Sequence, residues 1–194
     1  LAAVVALGVT TFVAAVGAYR DLGASEARTF DRLRFADASF RVTPSPESIV
    51  DEAAAQAGVT GAAGRLIVDT GLPVDDDRAR ARLVGIRPGP QAANDLLVID
   101  GAPLTAAGQV LVERHFAEAR GIRPGTTIAP LVGGAPVPLR VAGTVASPEY
   151  LQVTPDRYEL LPSPSGFAVL FVDQAQLQQL TGQAGLVNDL AIRA

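Results

Sequence analysis

His115 is the only histidine in this sequence of 194 residues, so any histidine-dependent chemistry must involve it. It lies in the segment ERHFAEAR near Glu113 and Glu118, and an imidazole beside a carboxylate can form a general base or part of a metal site. No H-x-x-x-H or H-E-x-x-H spacing supplies further metal ligands, and no G-x-S-x-G motif supplies a nucleophile. We interpret His115 as a partly exposed helical residue and predict no catalytic or metal-binding role for it.

Three consecutive aspartates, Asp75, Asp76 and Asp77, are the next residues that could hold a ligand, because carboxylate oxygens coordinate hard cations. A calcium loop, however, spaces its ligands at alternate positions and adds a glycine and a distal glutamate, which this run lacks. Adjacent aspartates are typical of a solvated turn. We predict no metal here and keep the three residues as candidates for contact with a partner.

A carboxylate and an aromatic ring occur together in the segment SPEY, at Glu149 and Tyr150, directly after the strand-like run RVAGTV. A structural turn is the first interpretation of this segment, and contact with a partner is the second. We add both residues to the candidate partner-facing group. The sequence predicts no catalytic residue, no cofactor-binding residue and no metal ligand, and therefore no enzyme.

Nucleotides and nucleic acids do not fit the composition. No G-x-G-x-x-G motif opens a helix, and the chain contains no lysine for a P-loop. The net charge is −4, and the arginines are not concentrated as a phosphate-binding surface requires. The absence of cysteine excludes disulfides, thiolate zinc sites and cysteine nucleophiles, but it does not indicate a compartment.

The opening segment, 1–18, indicates a membrane, because it reads LAAVVALGVTTFVAAVGA and carries no charge. As a helix that rises about 1.5 Å per residue it would reach roughly 27 Å, just short of a hydrocarbon core of ~30 Å. A signal-peptide core and a buried helix are the alternatives, but no n-region or cleavage site is distinct. We predict a partial transmembrane helix, and we expect a chain that begins at Leu1 to be a fragment.

A polar helical extension is predicted over 19–36, with Tyr19 at the position of an interfacial aromatic. Basic residues near a membrane exit favour the cytoplasmic side, so by the positive-inside rule alone the residues after the membrane segment would be cytoplasmic. The family resemblance described below implies the opposite, extracytoplasmic side, and only that resemblance overrides the rule. The basic residues concerned are Arg20, Arg28, Arg32 and Arg34.

Local patterns predict the elements of the first half of the chain. Ala38–Val42 alternates like a half-buried strand, which Pro44 and Pro46 are expected to end. A helix capped by Ser45 should come next and should end at Gly58.

Two further strand-like runs lie beyond this helix, over 63–70 and 79–86. Pro73 and the three aspartates are expected to prevent regular pairing over 72–77.

The second half contains a β-rich region and a terminal strand-helix-strand pattern. Short apolar runs separated by glycines over 95–154 predict a small antiparallel or barrel-like lobe. One helix is predicted inside it, from Glu113 to about Arg120, with Gly121 as its C-cap. Residues 167–172, 174–180 and 188–193 then predict strand, helix and strand.

The predicted fold class is therefore α+β. Two strand-helix-strand units, one near each end, enclose an inserted β-rich lobe, and a transmembrane helix precedes them. Both ends of the folded body should lie near one edge, which suits a domain inserted between two membrane helices.

This order of segments resembles the first extracytoplasmic domain of FtsX-like and MacB-like permeases of ABC transporters. The resemblance covers nearly the whole chain, and its motifs are structural rather than catalytic. It implies a porter-like α+β subdomain over 37–90 and 155–194, and a smaller β-rich subdomain over 91–154. The motifs are YRDL, RLRFADASFRV, AAGRLIVDT, LLVIDGAPL, QVLVERHFAEARGIRPGTTI, LRVAGTVASPEYL, FAVLFVDQAQLQQL and NDLAIRA.

The resemblance also implies a function and a location. It implies a permease subunit in the cell membrane, with the folded domain on the extracytoplasmic side, that couples ATP-driven movement to the handling of cargo or a partner. The implied partners are cytoplasmic ABC ATPase subunits, a second permease subunit and membrane lipid, and the implied cargo is a lipid, a lipoprotein or a peptide. No cofactor and no nucleic acid are implied.

Two other classes remain open at this point. A single-pass anchored binding or adhesion module would have the same opening segment and the same lack of catalytic groups. An anchored hydrolase would need a nucleophile or a metal that the sequence does not provide.

Overall fold

The computed structural model of the protein describes residues 31–74, 77–150 and 164–194, together with Phe12. Among these residues, no helix is long and apolar enough to cross a membrane. The predicted transmembrane helix over 1–18 lies outside the described residues except for Phe12, so it stays a prediction.

The chain divides into two compact units, Leu1–Arg32 and Leu33–Ala194, and the second contains every strand that the structure describes. Of the helical extension predicted over 19–36, only residues 31–36 are described. Asp31 and Arg32 are helical, and the chain then turns at Arg34, whose φ is 51°.

Twelve strands, three α-helices and one 3-10 helix make up the part of the second unit that the structure describes. The mixture agrees with the predicted α+β class. In chain order the elements are β1 (Ala38–Pro46), α1 (Ser48–Ala54), β2 (Gly61–Arg65), β3 (Ile67–Val74), β4 (Asp77–Ile86), β5 (Leu97–Gly101), β6 (Gln109–Glu113), α2 (Arg114–Arg120), β7 (Thr127–Ile128), β8 (Leu131–Val132), β9 (Ala135–Pro136), β10 (Leu139–Ala146), the 3-10 helix (Pro148–Tyr150), β11 (Phe167–Asp173), α3 (Gln174–Leu180) and β12 (Leu186–Arg193).

The smaller of the two main sheets contains three antiparallel strands in the order β1-β12-β2. Ala38 pairs with Ile192, so the first strand of the body lies against the last. The backbone N–H of Ala194 donates a hydrogen bond of 2.8 Å to Oδ2 of Asp37. The chain therefore enters this unit beside its last residue, as the element order predicted.

The predicted end of the first strand was wrong. β1 continues through Pro44 to Pro46, because it is an edge strand with a register shift between Arg41 and Ser45, and an edge tolerates residues that cannot donate to the ladder. Ser45 does not cap the helix either. Its hydroxyl donates to the carbonyl oxygen of Thr43 at 2.8 Å, and α1 begins at Ser48 without a side-chain cap.

The larger sheet contains seven strands in the order β3-β4-β11-β6-β10-β5, with β7 beside one end of β10. β11 lies near its centre, parallel to β4 and antiparallel to β6. Alternate side chains of β11 belong to different core clusters, one on each face of the sheet: Leu170 packs with Phe116 and Leu177, and Phe171 packs with Tyr150. Burial on both faces explains why this strand is apolar at consecutive positions.

The strand predicted over 63–70 is in fact two strands in two sheets. β2 ends at Arg65, β3 begins at Ile67, and the fully buried Leu66 lies between them. The pairing of β3 with β4 also continues to Val74 opposite Asp77, through the stretch predicted to be irregular. Pro73 is accommodated because β3 is an edge strand of the larger sheet.

The helix predicted near Glu113 is confirmed. Glu113 is the N-cap of α2, and its side chain accepts hydrogen bonds from the backbone N–H groups of His115 and Phe116. Gly121 ends the helix in the left-handed conformation, with φ at 63°, which glycine adopts without steric cost.

Strands from both predicted subdomains lie in one sheet. β4 and β11 come from the segments predicted to be porter-like, and β6 and β10 come from the segment predicted to be an inserted lobe, yet the order β4-β11-β6-β10 is continuous. The sequence boundaries of the inserted segment therefore do not coincide with a boundary between two sheets. The division into subdomains itself stays a prediction.

Candidate functional site

A buried arginine lies where the two main sheets meet. Arg65 is the last residue of β2 and is only 4% exposed. Its Nε donates to Oδ2 of Asp189, the residue opposite it on β12, at 2.9 Å. A second nitrogen donates to Oε1 of Glu149 at 2.8 Å, and a third bonds to the other oxygen of that carboxylate. We call Arg65, Asp189 and Glu149 the Arg65 cluster.

The Arg65 cluster connects the two sheets electrostatically. Arg65 and Asp189 belong to the smaller sheet, whereas Glu149 lies in the 3-10 helix directly after β10 of the larger sheet. Burial disfavours the charged form of Arg65, but the two carboxylates outweigh this effect and raise its pKa above the ordinary value. The cluster therefore holds one positive and two negative groups in a largely dry environment, where each depends on the others.

Tyr150 extends this contact into the core. Its ring packs edge-on against Phe171, with centroids 6.3 Å apart, and burial raises the pKa of its hydroxyl. Arg82 interacts electrostatically with Tyr150; its guanidinium lies 5.6 Å from the ring centroid of Phe167 and donates to Asp69 at 2.6 and 2.9 Å. The hydrogen bonds from Arg82 lower the pKa of Asp69.

A second polar group joins the sheets around Glu47, which precedes α1. Oε1 of Glu47 accepts hydrogen bonds from Nε2 of Gln174 and of Gln178, both at 2.7 Å, and Oε2 accepts one from Arg87 at 2.8 Å. Gln174 and Gln178 lie on α3, which packs on the larger sheet. We call these four residues the Glu47 cluster.

The Glu47 cluster predicts an acid-sensitive contribution to stability. Partial burial opposes ionisation of Glu47, but the hydrogen bonds from Gln178, Gln174 and Arg87 outweigh it and lower its pKa from 4.5. A carboxyl group with a lower pKa in the folded state stabilises the fold above its unfolded pKa, and this contribution is lost as the pH falls through the folded value.

We therefore expect the Glu47→Gln variant to lose less stability than the wild type between about pH 6 and about pH 3. Urea unfolding followed by circular dichroism at a series of pH values measures this difference. Glu52→Gln, which removes an exposed carboxylate from the same helix, is the matched control. Parallel pH profiles for Glu47→Gln and the wild type would contradict the assignment.

Three of the five predicted partner-facing residues lie in the part of the chain that the structure describes. Asp75 and Asp76 lie outside the described residues. Asp77 is exposed and accepts a hydrogen bond of 2.7 Å from Arg120. Glu149 is held by Arg65, and Tyr150 is 8% exposed, so contacts within the chain account for both. Partner contact at the five positions stays a prediction.

Sequence reasoning missed Arg65 and Asp189. A signal existed, because each is the lone charged residue of a short apolar run, Arg65 in AAGRLIV and Asp189 in NDLAI. Charges in such positions are rarely buried unless they are paired. The pairing itself could not be read, since the two residues are separated by 124 positions.

His115 and Glu113 are paired at the start of α2. Both carboxylate oxygens of Glu113 are occupied, one by Nδ1 of His115 at 2.8 Å and the other by backbone N–H groups of α2. Within the residues that the structure covers, no group of three or more histidine, aspartate or glutamate side chains could hold a metal ion. The Arg65 cluster, which is buried, and the Glu47 cluster, which is partly exposed, connect elements of the fold.

Comparison with known proteins gives a match at the level of structure. No family model matches the chain, and no curated protein sequence matches it. The extracellular domain of the noncanonic ABC-type transporter YknZ from Gram-positive bacteria has a TM-score of 0.55 at 14% identity, and the match covers 80% of this chain and 81% of that one.

The periplasmic region of MacB from Actinobacillus actinomycetemcomitans is also similar. Its TM-score is 0.52 at 14% identity, and the match covers 80% of this chain and 72% of that one. Similarity at this level of identity concerns the fold, and it agrees with the resemblance on which the sequence prediction rests. The chain therefore has the fold of the extracytoplasmic domains of ABC-transporter permeases of the MacB type.

Proposed function

We propose that this chain is the extracytoplasmic domain of an ABC-transporter permease subunit, anchored in the cell membrane. The observation that carries the proposal is the position of the chain ends of the folded unit, where Ala194 donates a hydrogen bond to Asp37. A domain inserted between two membrane helices must return its chain to the point where it left the bilayer. The likeness to the YknZ and MacB domains supports the same role.

The domain works by contact and movement in this proposal. Membrane helices that move during ATP hydrolysis pull on the smaller sheet, which carries the first and last strands of the folded unit, and the Arg65 and Glu47 clusters transmit that displacement to the larger sheet. The partners are cytoplasmic ABC ATPase subunits, a second permease subunit and membrane lipid. The cargo is a lipid, a lipoprotein or a peptide, and no bond in it is made or broken by this domain.

The test uses the full-length protein in intact cells. These 194 residues contain no cysteine, so an Ala184→Cys substitution in the exposed loop after α3 creates one label site, once cysteines elsewhere in the protein are replaced. We expect a membrane-impermeant maleimide to label it without permeabilisation. We also expect at least three further membrane spans and co-purification with an ABC ATPase.

Two results would contradict the proposal. Labelling that occurs only after permeabilisation would place the domain on the cytoplasmic side. A full-length protein with a single span and no associated ATPase would favour the anchored binding or adhesion module instead.

A further inference from the structure

The residues that enter the folded unit, 33–36, are hydrogen-bonded to a loop at 89–96, and we call these two pieces the entry segment and the cleft loop. The backbone N–H of Asn94 donates to the carbonyl oxygen of Arg34 at 2.7 Å. The backbone N–H of Ala36 donates to Oδ1 of Asn94 at 2.8 Å. Two further bonds run from the backbone N–H of Asp95 to the carbonyl oxygen of Leu33 and from the guanidinium of Arg34 to the carbonyl oxygen of Gln91.

Three locally unfavourable features coincide in this contact. Among the residues that the structure describes, Arg34 and Asn94 are the only non-glycine residues with a positive φ, at 51° and 54°. Asparagine tolerates this conformation, but arginine is uncommon in it because its Cβ crowds the backbone. Asn94 is 3% exposed, and its Nδ2 is a buried donor without a hydrogen-bond partner in the described part of the chain. Such outliers persist only where surrounding contacts impose them, and they concentrate at ligand clamps and switch regions.

The cleft loop contacts the entry segment and also lines an apolar cleft of about 300 Å³. Toward the entry segment and the smaller sheet, Ala93 packs with Ala36 and Ala191. A Cβ added at Gly61 of β2 would lie 2.8 Å from the carbonyl oxygen of Ala92, so the loop lies close against the face of that strand. The lining of the cleft includes Gln91, Asp95 and Leu96 from the loop, together with Ile86, Leu104 and Leu111.

Hydrogen bonds within the cleft loop connect its two sides. Oδ1 of Asp95 accepts hydrogen bonds from the backbone N–H of Gln91 at 3.1 Å and from that of Leu96 at 3.0 Å. The side chain of Gln91 donates in turn to the carbonyl oxygen of Gly89 at 2.7 Å. A displacement of the loop at Asn94 is therefore expected to carry with it the residues that line the cleft.

We propose that the contact between Asn94 and the entry segment is a strained latch, and that its release opens the apolar cleft. Release lets Arg34 and Asn94 leave the left-handed conformation and lets Nδ2 of Asn94 reach water. These gains partly offset the hydrogen bonds that are lost, which narrows the free-energy difference between the two states and lets a pull on the entry segment shift the equilibrium. The source of that pull, movement of the chain before Leu33, rests on the proposed function, whereas the coupling of the latch to the cleft does not.

The test measures how often the cleft opens. The sequence contains no cysteine, so Leu104→Cys places one thiol at the cleft, at a position that is 3% exposed. The rate at which N-ethylmaleimide labels this thiol in the full chain reports local opening. Asn94→Ala removes the acceptor for the backbone N–H of Ala36 and tolerates the left-handed conformation less well, so it should raise the labelling rate at least tenfold. Hydrogen exchange at the same Ala36 N–H should rise with it.

Two controls separate opening of the cleft from general unfolding. Leu177→Cys places the same substitution at a buried position in the core cluster on the other face of the larger sheet, and its labelling rate should change far less. Asn188→Ala is the matched control for Asn94→Ala, because the side-chain amide of Asn188 also bonds to backbone, but at Ile67 of β3. It should leave the ratio of the two labelling rates unchanged.

Val98→Cys, a change that keeps the side-chain size more closely, is a second reporter at the same cleft and should respond in the same direction if Leu104→Cys does not fold. Faster exchange at Ala36 without faster labelling at the cleft would overturn the proposed coupling. Equal acceleration at Leu104→Cys and Leu177→Cys, or an equal effect of Asn188→Ala, would overturn it as well, since the opening would then be general. No change in either readout would show that Asn94 does not hold the entry segment. None of these outcomes depends on the side of the membrane, which labelling of Ala184→Cys tests separately.

Discussion

Replacing Arg65 with methionine is expected to lower the free energy of unfolding by about 3–5 kcal/mol, because it leaves two carboxylates without their buried cation. The side chains of Arg65 and Asp189 are 5% and 7% exposed, and that of Glu149 is 17% exposed, so water cannot replace the lost hydrogen bonds efficiently. Methionine keeps most of the side-chain length, which limits the loss of packing. Urea unfolding of the wild type and the variant at neutral pH measures the difference.

Two further variants separate charge from packing in this experiment. Arg140→Met, at an exposed position on β10, should change stability by less than about 0.5 kcal/mol. A triple variant with Arg65→Met, Glu149→Leu and Asp189→Leu should recover most of the stability lost by the single change, because apolar residues can replace a buried ion group at little cost. A loss below about 1 kcal/mol for Arg65→Met alone would show that the cluster does not hold the sheets together.

Short sequence patterns were sufficient to predict elements whose limits depend on neighbouring residues in the chain. Glu113 and Gly121 bracket α2 as an N-cap and a left-handed C-cap, so the sequence predicted this helix to within one residue. The apolar run at Phe167 predicted β11 for a similar reason, since a strand that packs on both faces needs no polar positions. The order of such elements also carried the resemblance that the solved structures support.

The errors arose where the position of a strand in its sheet decides what the sequence tolerates. Pro44, Pro46 and Pro73 were expected to end or prevent pairing, but each lies on an edge strand, and no local pattern distinguishes an edge from a centre. The change of sheet at Leu66 was likewise invisible, because residues 63–70 form one apolar-rich run whichever sheet each half joins. Tertiary context determined these outcomes.

The candidate site illustrates the same limit. Glu149 and Tyr150 were recognised as a notable pair, yet their partners, Arg65 and Phe171, are distant in sequence. Spacing could therefore suggest that a carboxylate and a ring occur together, but not that both turn inward. A role at the junction of two sheets becomes visible only when the sheets are assembled.

The second large loss of stability is expected for a substitution at Gly143, which lies on β10 opposite Gly101 of the paired strand β5. A Cβ at this position would lie 2.7 Å from the carbonyl oxygens of Asp100 and Ala102, which is closer than real contacts allow. Both oxygens belong to backbone, so no side-chain rotation relieves the clash, and β5 must move away from β10. We expect Gly143→Ala to lower the free energy of unfolding by about 1–3 kcal/mol, as overpacked cores do.

Gly85→Ala is the matched control for Gly143→Ala, because Gly85 also lies within a strand of the larger sheet. Its added Cβ would meet neighbours at 3.2 to 3.4 Å, so it requires shifts of only a few tenths of an ångström, less than Gly143→Ala requires. Urea unfolding should therefore show a clearly lower free energy of unfolding for Gly143→Ala than for Gly85→Ala, and equal losses would contradict the close approach of β5 to β10.

Because the strain falls on β5, Gly143→Ala should also increase hydrogen exchange at Val98 and Asp100 before it affects β11. The edge strand would then loosen while the centre of the sheet remains protected.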